Sequence, residues 1–286
     1  MRHPVSRRSF LLASAGLVAG AVAACNSNGD DGEIQVKPED TTTLPKDLSL
    51  VVASYVHVTG LDERVAMAFI RGNGPFNPEG DVEFTIDGRP VEAAKHADGI
   101  LLPYYLMRQR FDRPGVHDVK ATVAGQELSA ALEVVEPAKA GALLPGQPMV
   151  RVPSPTVADA KGVNPICTKK PVCPLHDVSL DAALDEKKPL AVLFSTPALC
   201  QSQLCGPVLD NLLAARAEFA DKVRMLHVEI YTDLTGKTLA PAVQAYKLQA
   251  EPFLFLAGAD GVVRERLDNA YDKVEVRDAL RRLTSA

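Results

Sequence analysis

Two textures of apolar patterning divide the chain. Between positions 48 and 135, apolar and polar residues alternate in short runs, at 48–52, 65–70, 82–86, 116–123 and 128–135. Asp87-Gly88 follows the third run, a hairpin signal because both central residues of such a turn take positive φ, and Ala124-Gly125 separates the last two. No helical period interrupts them, so the pattern predicts a small antiparallel β-sandwich over 47–137. From position 165 the texture changes. Residues 190–194 form a continuous apolar run after Pro189, as expected of a strand buried on both faces. Leu209, Leu212, Leu213 and Phe219 then recur at helical spacing within 207–220. A strand over 223–230, a helix over 239–248, strands at 253–257 and 262–267 around Gly258-Ala259-Asp260-Gly261, and an amphipathic helix over 271–283 complete the series. The order β-α-β-α-β-β-α predicts an α/β domain over 165–286. Between the two lies a segment rich in Pro, Gly, Ala and Val without a period, 138–164, read as a linker.

The first residues belong to neither texture. Arg2, Arg7 and Arg8 precede an uncharged apolar stretch over 10–24, shorter than the ~20 residues needed to cross a bilayer. Ser6-Arg7-Arg8-Ser9-Phe10-Leu11 resembles the twin-arginine export signal, and Val22-Ala23-Ala24-Cys25 resembles a bacterial lipobox. The resemblance implies a signal peptide over 1–24 and a diacylglycerol on the Cys25 thiol. Each buried methylene of its acyl chains would add ~0.8 kcal/mol of membrane affinity. Residues 26–46 are rich in Asn, Asp, Gly, Thr and Glu, so the mature chain is expected to begin with a flexible tether over 25–46. The expected address is the extracytoplasmic face of the bacterial cell membrane, on the periplasmic side or at the cell surface.

Charge and composition narrow the partners. Without Arg2, Arg7 and Arg8 the formal charge moves from −5 to −8, and no Lys/Arg-rich block follows, which argues against nucleic acid. Aromatic residues make up 5% with no Trp, a poor composition for a stacking surface. His57, His96 and His117 are widely spaced and read as surface or strand-edge residues. Beyond Cys25, four cysteines remain, Cys167, Cys173, Cys200 and Cys205. Outside the cytoplasm thiols tend to pair, and short spacings favour Cys167–Cys173 and Cys200–Cys205 among the three possible pairings.

Residues 191–207, AVLFSTPALCQSQLCGP, followed by a helix, resemble the strand–loop–helix that carries the active site of thioredoxin-fold proteins. Glu251-Pro252, just before the third strand, matches that fold's cis-proline, and FLFLAGADGVVRERL resembles its terminal β-hairpin. The likeness covers about 120 residues. Ahead of it, Arg113-Pro114-Gly115 resembles a turn of immunoglobulin-like modules of bacterial surface proteins, which would make the sandwich immunoglobulin-like. The thioredoxin likeness implies a thiol–disulfide oxidoreductase acting through Cys200, Cys205 and Pro252 on exported proteins or a redox partner protein, with no cofactor and no metal. The departures are a spacing of four residues between the cysteines instead of two, the missing Trp, and Leu193 where such enzymes often bury an acidic residue. Cys200 can attack and Cys205 resolve, or Cys205-Gly206-Pro207-Val208 can overlay the Cys-Gly-Pro-Cys motif with the roles reversed. A thiolate at a helix N-terminus is stabilised by free N–H groups and the helix dipole, whichever cysteine attacks.

Cys167 and Cys173, with no helix start nearby, are expected to form a structural disulfide. Three other readings stand beside the oxidoreductase. The Cys-x4-Cys spacing resembles bacterioferritin-comigratory-type peroxiredoxins, although the Pro-x3-Thr-x2-Cys signature is missing. Two cysteines plus His176 or His227 resemble the copper-delivering Sco family, although both histidines also read as loop and sheet residues. The third is a redox-inert binding lipoprotein.

Overall fold

The computed structural model describes residues 45–285, so the expected export signal, Cys25 and nearly all of the expected tether lie outside the described residues. Strands dominate. The N-terminal half folds as two sheets packed face to face. One holds β1 (Leu48–Val52), β2 (Asp62–Arg71), β7 (Tyr104–Arg110) and β6 (Ala94–His96) in that order, with β3 (Gly74–Phe76) also on β2. The other runs β5 (Arg89–Val91), β4 (Val82–Ile86), β8 (Gly115–Val123) and β9 (Gln126–Val134). All pairings within the two sheets are antiparallel. Alternation explains the packing: Val65, Met67 and Phe69 of one sheet meet Phe84, Val119, Ala121 and Leu132 of the other in a shared core. Asp87 and Gly88 have φ of 50° and 75°, and Ala124 and Gly125 have 47° and 76°, the left-handed pair each tight hairpin demands.

The C-terminal half is a four-stranded sheet with helices on both faces. Its order is β11 (Arg224–Glu229), β10 (Leu190–Ser195), β12 (Phe253–Ala257) and β13 (Val263–Asp268), with β10 parallel to β11 and antiparallel to β12. All six residues of β10 and all five of β12 are buried because both faces are covered. On one side Ala191, Leu193, Leu254 and Leu256 pack against α2 (Cys205–Phe219) and α4 (Lys273–Ser285). On the other, Val192, Phe194 and Phe255 pack against α1 (Leu180–Asp185) and α3 (Pro241–Tyr246). The segment read as a linker joins this core: Leu144, Met149 and Val163 are buried in it, and Pro148 bridges to Val262.

The two halves form one compact unit rather than beads on a string. Arg64 of β2 is buried and pairs with Glu275 of α4, while donating to the carbonyls of Asp268 and Ala270. The buried Tyr104 hydroxyl donates to the same Glu275 carboxylate and accepts the Asp272 N–H at 3.0 Å. Arg266 of β13 donates to the Val56 carbonyl at 2.7 Å and pairs with Asp268, whose other oxygen accepts the Tyr55 N–H at 2.6 Å. Such charges are tolerated out of water only because every one is paired. The surface reading of the histidines needs correcting for two of the three. His57 is buried with Nε2 2.7 Å from Ser54 Oγ, and His117 is buried between Asp87 and the Arg113 carbonyl.

Candidate functional site

β10 ends at Ser195, and the chain then runs through an irregular loop to the start of α2 at Cys205. Gln203 takes φ of 59° within it, so the two cysteines are not on one continuous helix. The cap residue of α2 is Leu204, which has no side-chain oxygen to offer the first free N–H groups of the helix. Cys200 fills that role: its Sγ accepts the Cys205 N–H at 3.3 Å and lies 3.3 Å from Ser202 Oγ. The sulfur of one cysteine thus sits at the N-terminus of the helix on which the other is the first residue.

Their environments differ. Cys205 is fully buried, whereas Cys200 is partly open. The hydrogen bond from the Cys205 thiol, helped by Ser202 and by the N–H groups of Cys205 and Leu204, outweighs burial and brings the Cys200 thiol down to about 5. Cys205 moves far in the opposite direction, pushed up by burial first and then by the neighbouring Cys200. Glu251 also faces this pair. Burial, and then the charge on Cys200, raises its carboxyl to about 7. The Glu251–Pro252 peptide bond is cis, and Pro252 leads directly into β12. An open cleft beside Cys200 is lined by Gln201, Ser202, Tyr231, Glu251 and Tyr55. Tyr55 comes from the sandwich half, and its hydroxyl donates to the Glu251 carbonyl at 2.8 Å. The sandwich is therefore one wall of the site.

The second cysteine pair departs from expectation. Cys167 and Cys173 are free thiols, not a disulfide, as Cys200 and Cys205 also are, and two imidazoles stand beside the first pair. His176 follows Cys173 by three residues, and His227 comes from β11. The four donor atoms lie within 4.8 Å of one another, and all four residues are buried. Cys173 Sγ is 3.2 Å from His176 Nε2 and 3.5 Å from His227 Nδ1, Cys167 Sγ is 3.6 Å from His227 Nδ1, and the two imidazole nitrogens are 3.2 Å apart. The Cys167 thiol is held low and the Cys173 thiol high, each chiefly through the hydrogen bond between them. The thioredoxin likeness implied no metal, yet these four residues form a group whose donor atoms could hold a cation. Cys-x5-Cys-x2-His was a chelating spacing already visible in the sequence, but His227, 51 positions beyond His176, becomes adjacent only through the sheet.

No protein-family model matches the chain, and no curated protein does. Among solved structures, the chain is similar to a crystal structure of the Lin-41 filamin domain, at 16% identity and TM-score 0.24, over 31% of this chain and 92% of that one. It is also similar to the twitchin kinase region from C. elegans, at 16% identity and TM-score 0.21, over 31% of this chain and 16% of that one.

Proposed function

We propose that the chain is an exported, lipid-anchored thiol–disulfide oxidoreductase whose C-terminal half is thioredoxin-like, with Cys200 as the attacking thiol and Cys205 as the resolving one. The observation that carries this reading is the asymmetry of the pair. A partly open thiol with a low pKa, capping a helix, stands beside a buried thiol with a high one. That is the division of labour disulfide exchange requires. The strand order β11-β10-β12-β13, with α2 and α4 on one face and α3 on the other, supports the thioredoxin-like assignment.

In the reducing direction the Cys200 thiolate attacks one sulfur of a substrate disulfide. The substrate S–S bond breaks, a mixed disulfide forms on Cys200, and the departing sulfur takes up a proton. Cys205 then loses its proton and attacks Cys200 Sγ, closing Cys200–Cys205 and releasing the second substrate thiol. Two electrons pass from the dithiol to the substrate. Glu251, whose carboxyl is raised chiefly by burial and which is coupled electrostatically to Cys205, is the group assigned to accept the Cys205 proton. Run backwards, the same steps oxidise an exported dithiol. The cleft between Tyr55, Tyr231 and Glu251 is open and polar, which suits an extended polypeptide more than a small apolar ligand.

The test is exchange with a small disulfide substrate and with a reduced, unfolded protein. Cys200→Ser is expected to abolish exchange, whereas Cys205→Ser is expected to stop at a mixed disulfide on Cys200. Exchange at wild-type rate in both variants would end the proposal. The anchor is tested separately: Cys25→Ser is expected to release the chain from the membrane fraction.

A further inference from the structure

We propose that Cys167, Cys173, His176 and His227 form a closed, tetrahedral zinc site that fastens the segment before α1 to the edge of the sheet. The proposal is independent of the redox reading. Zn²⁺ binds thiolate at ~2.3 Å and imidazole at ~2.0–2.1 Å in tetrahedral geometry. Those bond lengths put two nitrogens ~3.4 Å apart and a sulfur and a nitrogen ~3.6 Å apart. The observed separations are 3.2 Å between the nitrogens and 3.2, 3.5 and 3.6 Å between sulfur and nitrogen. Four of the six edges of a donor tetrahedron thus have the lengths zinc needs, and the other two, Cys167–Cys173 and Cys167–His176, lie within 4.8 Å.

The surroundings are arranged in the same sense. His227 Nε2 lies 3.0 Å from the Ser195 carbonyl, so that nitrogen carries the proton and donates. Nδ1 is left with its lone pair toward the two sulfurs, an orientation by an outer partner typical of metal-bound histidine. Ser195 Oγ is a second neighbour at 2.9 Å. His176 Nδ1 is buried and has no hydrogen-bond partner among the described residues, which leaves Nε2, the nitrogen facing the cluster, as the ring's one engaged atom. All four side chains are 2–4% exposed, so no coordination position opens to solvent. A site with four protein ligands and no vacancy is structural in kind. Two imidazoles beside two thiolates in a tetrahedron suit Zn²⁺ better than Cu(I), which favours softer, sulfur-rich sets. Both cysteines bind as thiolates, any proton they still carry passing to solvent, and both histidines bind neutral.

The consequence is local. The segment carrying Cys167 also carries Thr168, whose Oγ1 accepts the Ala198 N–H at 3.0 Å in the loop before Cys200. Its own N–H donates to Glu229 at the end of β11 at 2.7 Å. Zinc would pin the floor on which the Cys200 loop rests, without touching Cys200 or Cys205.

The experiment loads the full chain, purified under reducing conditions, with Zn²⁺ alone, and in parallel with Co²⁺ as a spectroscopic stand-in. After gel filtration, one equivalent of zinc per chain is expected. The cobalt form should show the intense visible bands of a tetrahedral centre and near-ultraviolet thiolate-to-metal charge transfer. Cys200→Ser/Cys205→Ser should keep the full equivalent, and Cys173→Ser and His227→Ala should each lose at least tenfold in affinity. The cobalt spectrum of the unaltered chain decides the matter even where those ligand variants fail to fold. Retention below a tenth of an equivalent would overturn the proposal, as would a weak octahedral cobalt spectrum, a Cys167–Cys173 disulfide in the folded chain, or loss of metal in the Cys200/Cys205 double variant. Retention of Cu(I) under conditions where Zn²⁺ is not held would overturn the choice of metal.

Discussion

Replacing Cys205 by alanine probes the chemistry of the pair, because it deletes one donor and leaves the rest of the Cys200 environment in place. In the reduced protein the Cys205 thiol is the largest influence lowering Cys200, and the Ser202 hydroxyl and two backbone N–H groups are smaller ones. A hydrogen bond to a charged group contributes ~1.5–3 kcal/mol, and ~1.4 kcal/mol corresponds to one pKa unit. Cys205→Ala should therefore lift Cys200 from about 5 to ~6–7, whereas Cys205→Ser keeps a hydroxyl donor and should stay near 5. Single-point rates would hide this. At about pH 5.5, a rise to ~6.5 cuts the thiolate fraction from ~75% to ~9%, about eightfold. The more basic sulfur regains about fivefold in intrinsic nucleophilicity, leaving a net change near twofold. The midpoint of the pH profile is the observable. Reduced full-length protein is alkylated with iodoacetamide from about pH 4 to 9, and the modified residue is located by mass spectrometry. The groups facing Cys200 are Cys205, Ser202, Glu251, Tyr55 and Tyr231, and Glu251 alone titrates within the same window. The profile is therefore recorded in the Glu251→Gln background as well. A midpoint unmoved by Cys205→Ala would refute the reasoning, and so would preferential alkylation of Cys205 in the folded protein.

Other consequences follow from the same geometry. Glu251 has its carboxyl raised to about 7 against 4.5 when unfolded, so the folded state holds this proton more tightly. Its contribution is present below about pH 4.5 and is lost as pH rises through about 7. Relative to Glu251→Gln, the reduced protein should lose ~1–2 kcal/mol across that window, with the partial exposure of the carboxyl allowed for. Urea denaturation at a series of pH values checks it, and a difference that does not vary with pH contradicts it. Arg64→Met should leave Glu275 buried without its charge partner, with the Tyr104 hydroxyl still donating to it, and cost ~3–5 kcal/mol in one shared unfolding transition of both halves. A loss under about 1 kcal/mol, or separate transitions, would show that this contact does not couple them. Phe194→Ala should cost ~3–5 kcal/mol in thermal or chemical unfolding, because the ring is fully buried between Tyr246 and Phe255.

Much of the C-terminal half was legible because its signals are local. The uninterrupted apolar run before Ser195, the proline near the start of α2 and the spacing of Leu209, Leu212 and Phe219 each decide an element within one window. α1, six residues long, has no room for a helical period and was missed. β7 escaped for a different reason: its buried positions are Tyr104, Tyr105 and Met107, a run without alternation, because Tyr104 packs outside the sandwich core, toward Leu204 and Ala270. The docking of the halves depends on Arg64 and Glu275, 211 positions apart, and charged residues read as surface until a partner is seen. The same holds for the site. Cys200 and Cys205 stood out through their position before a helix, but Tyr55 as a wall of the cleft and His227 beside the second thiol pair are long-range facts that no spacing rule contains.

The most direct test of the central claim is the equilibrium of Cys200 and Cys205 against glutathione and dithiothreitol buffers, read by thiol trapping and mass spectrometry. The account predicts one reversible two-electron transition confined to these two residues, with a potential between about −270 and −120 mV, the range of catalytic dithiols. A pair that stays oxidised to below about −300 mV would be a structural staple, and one that never closes would not be a redox pair at all. Either result would contradict the account.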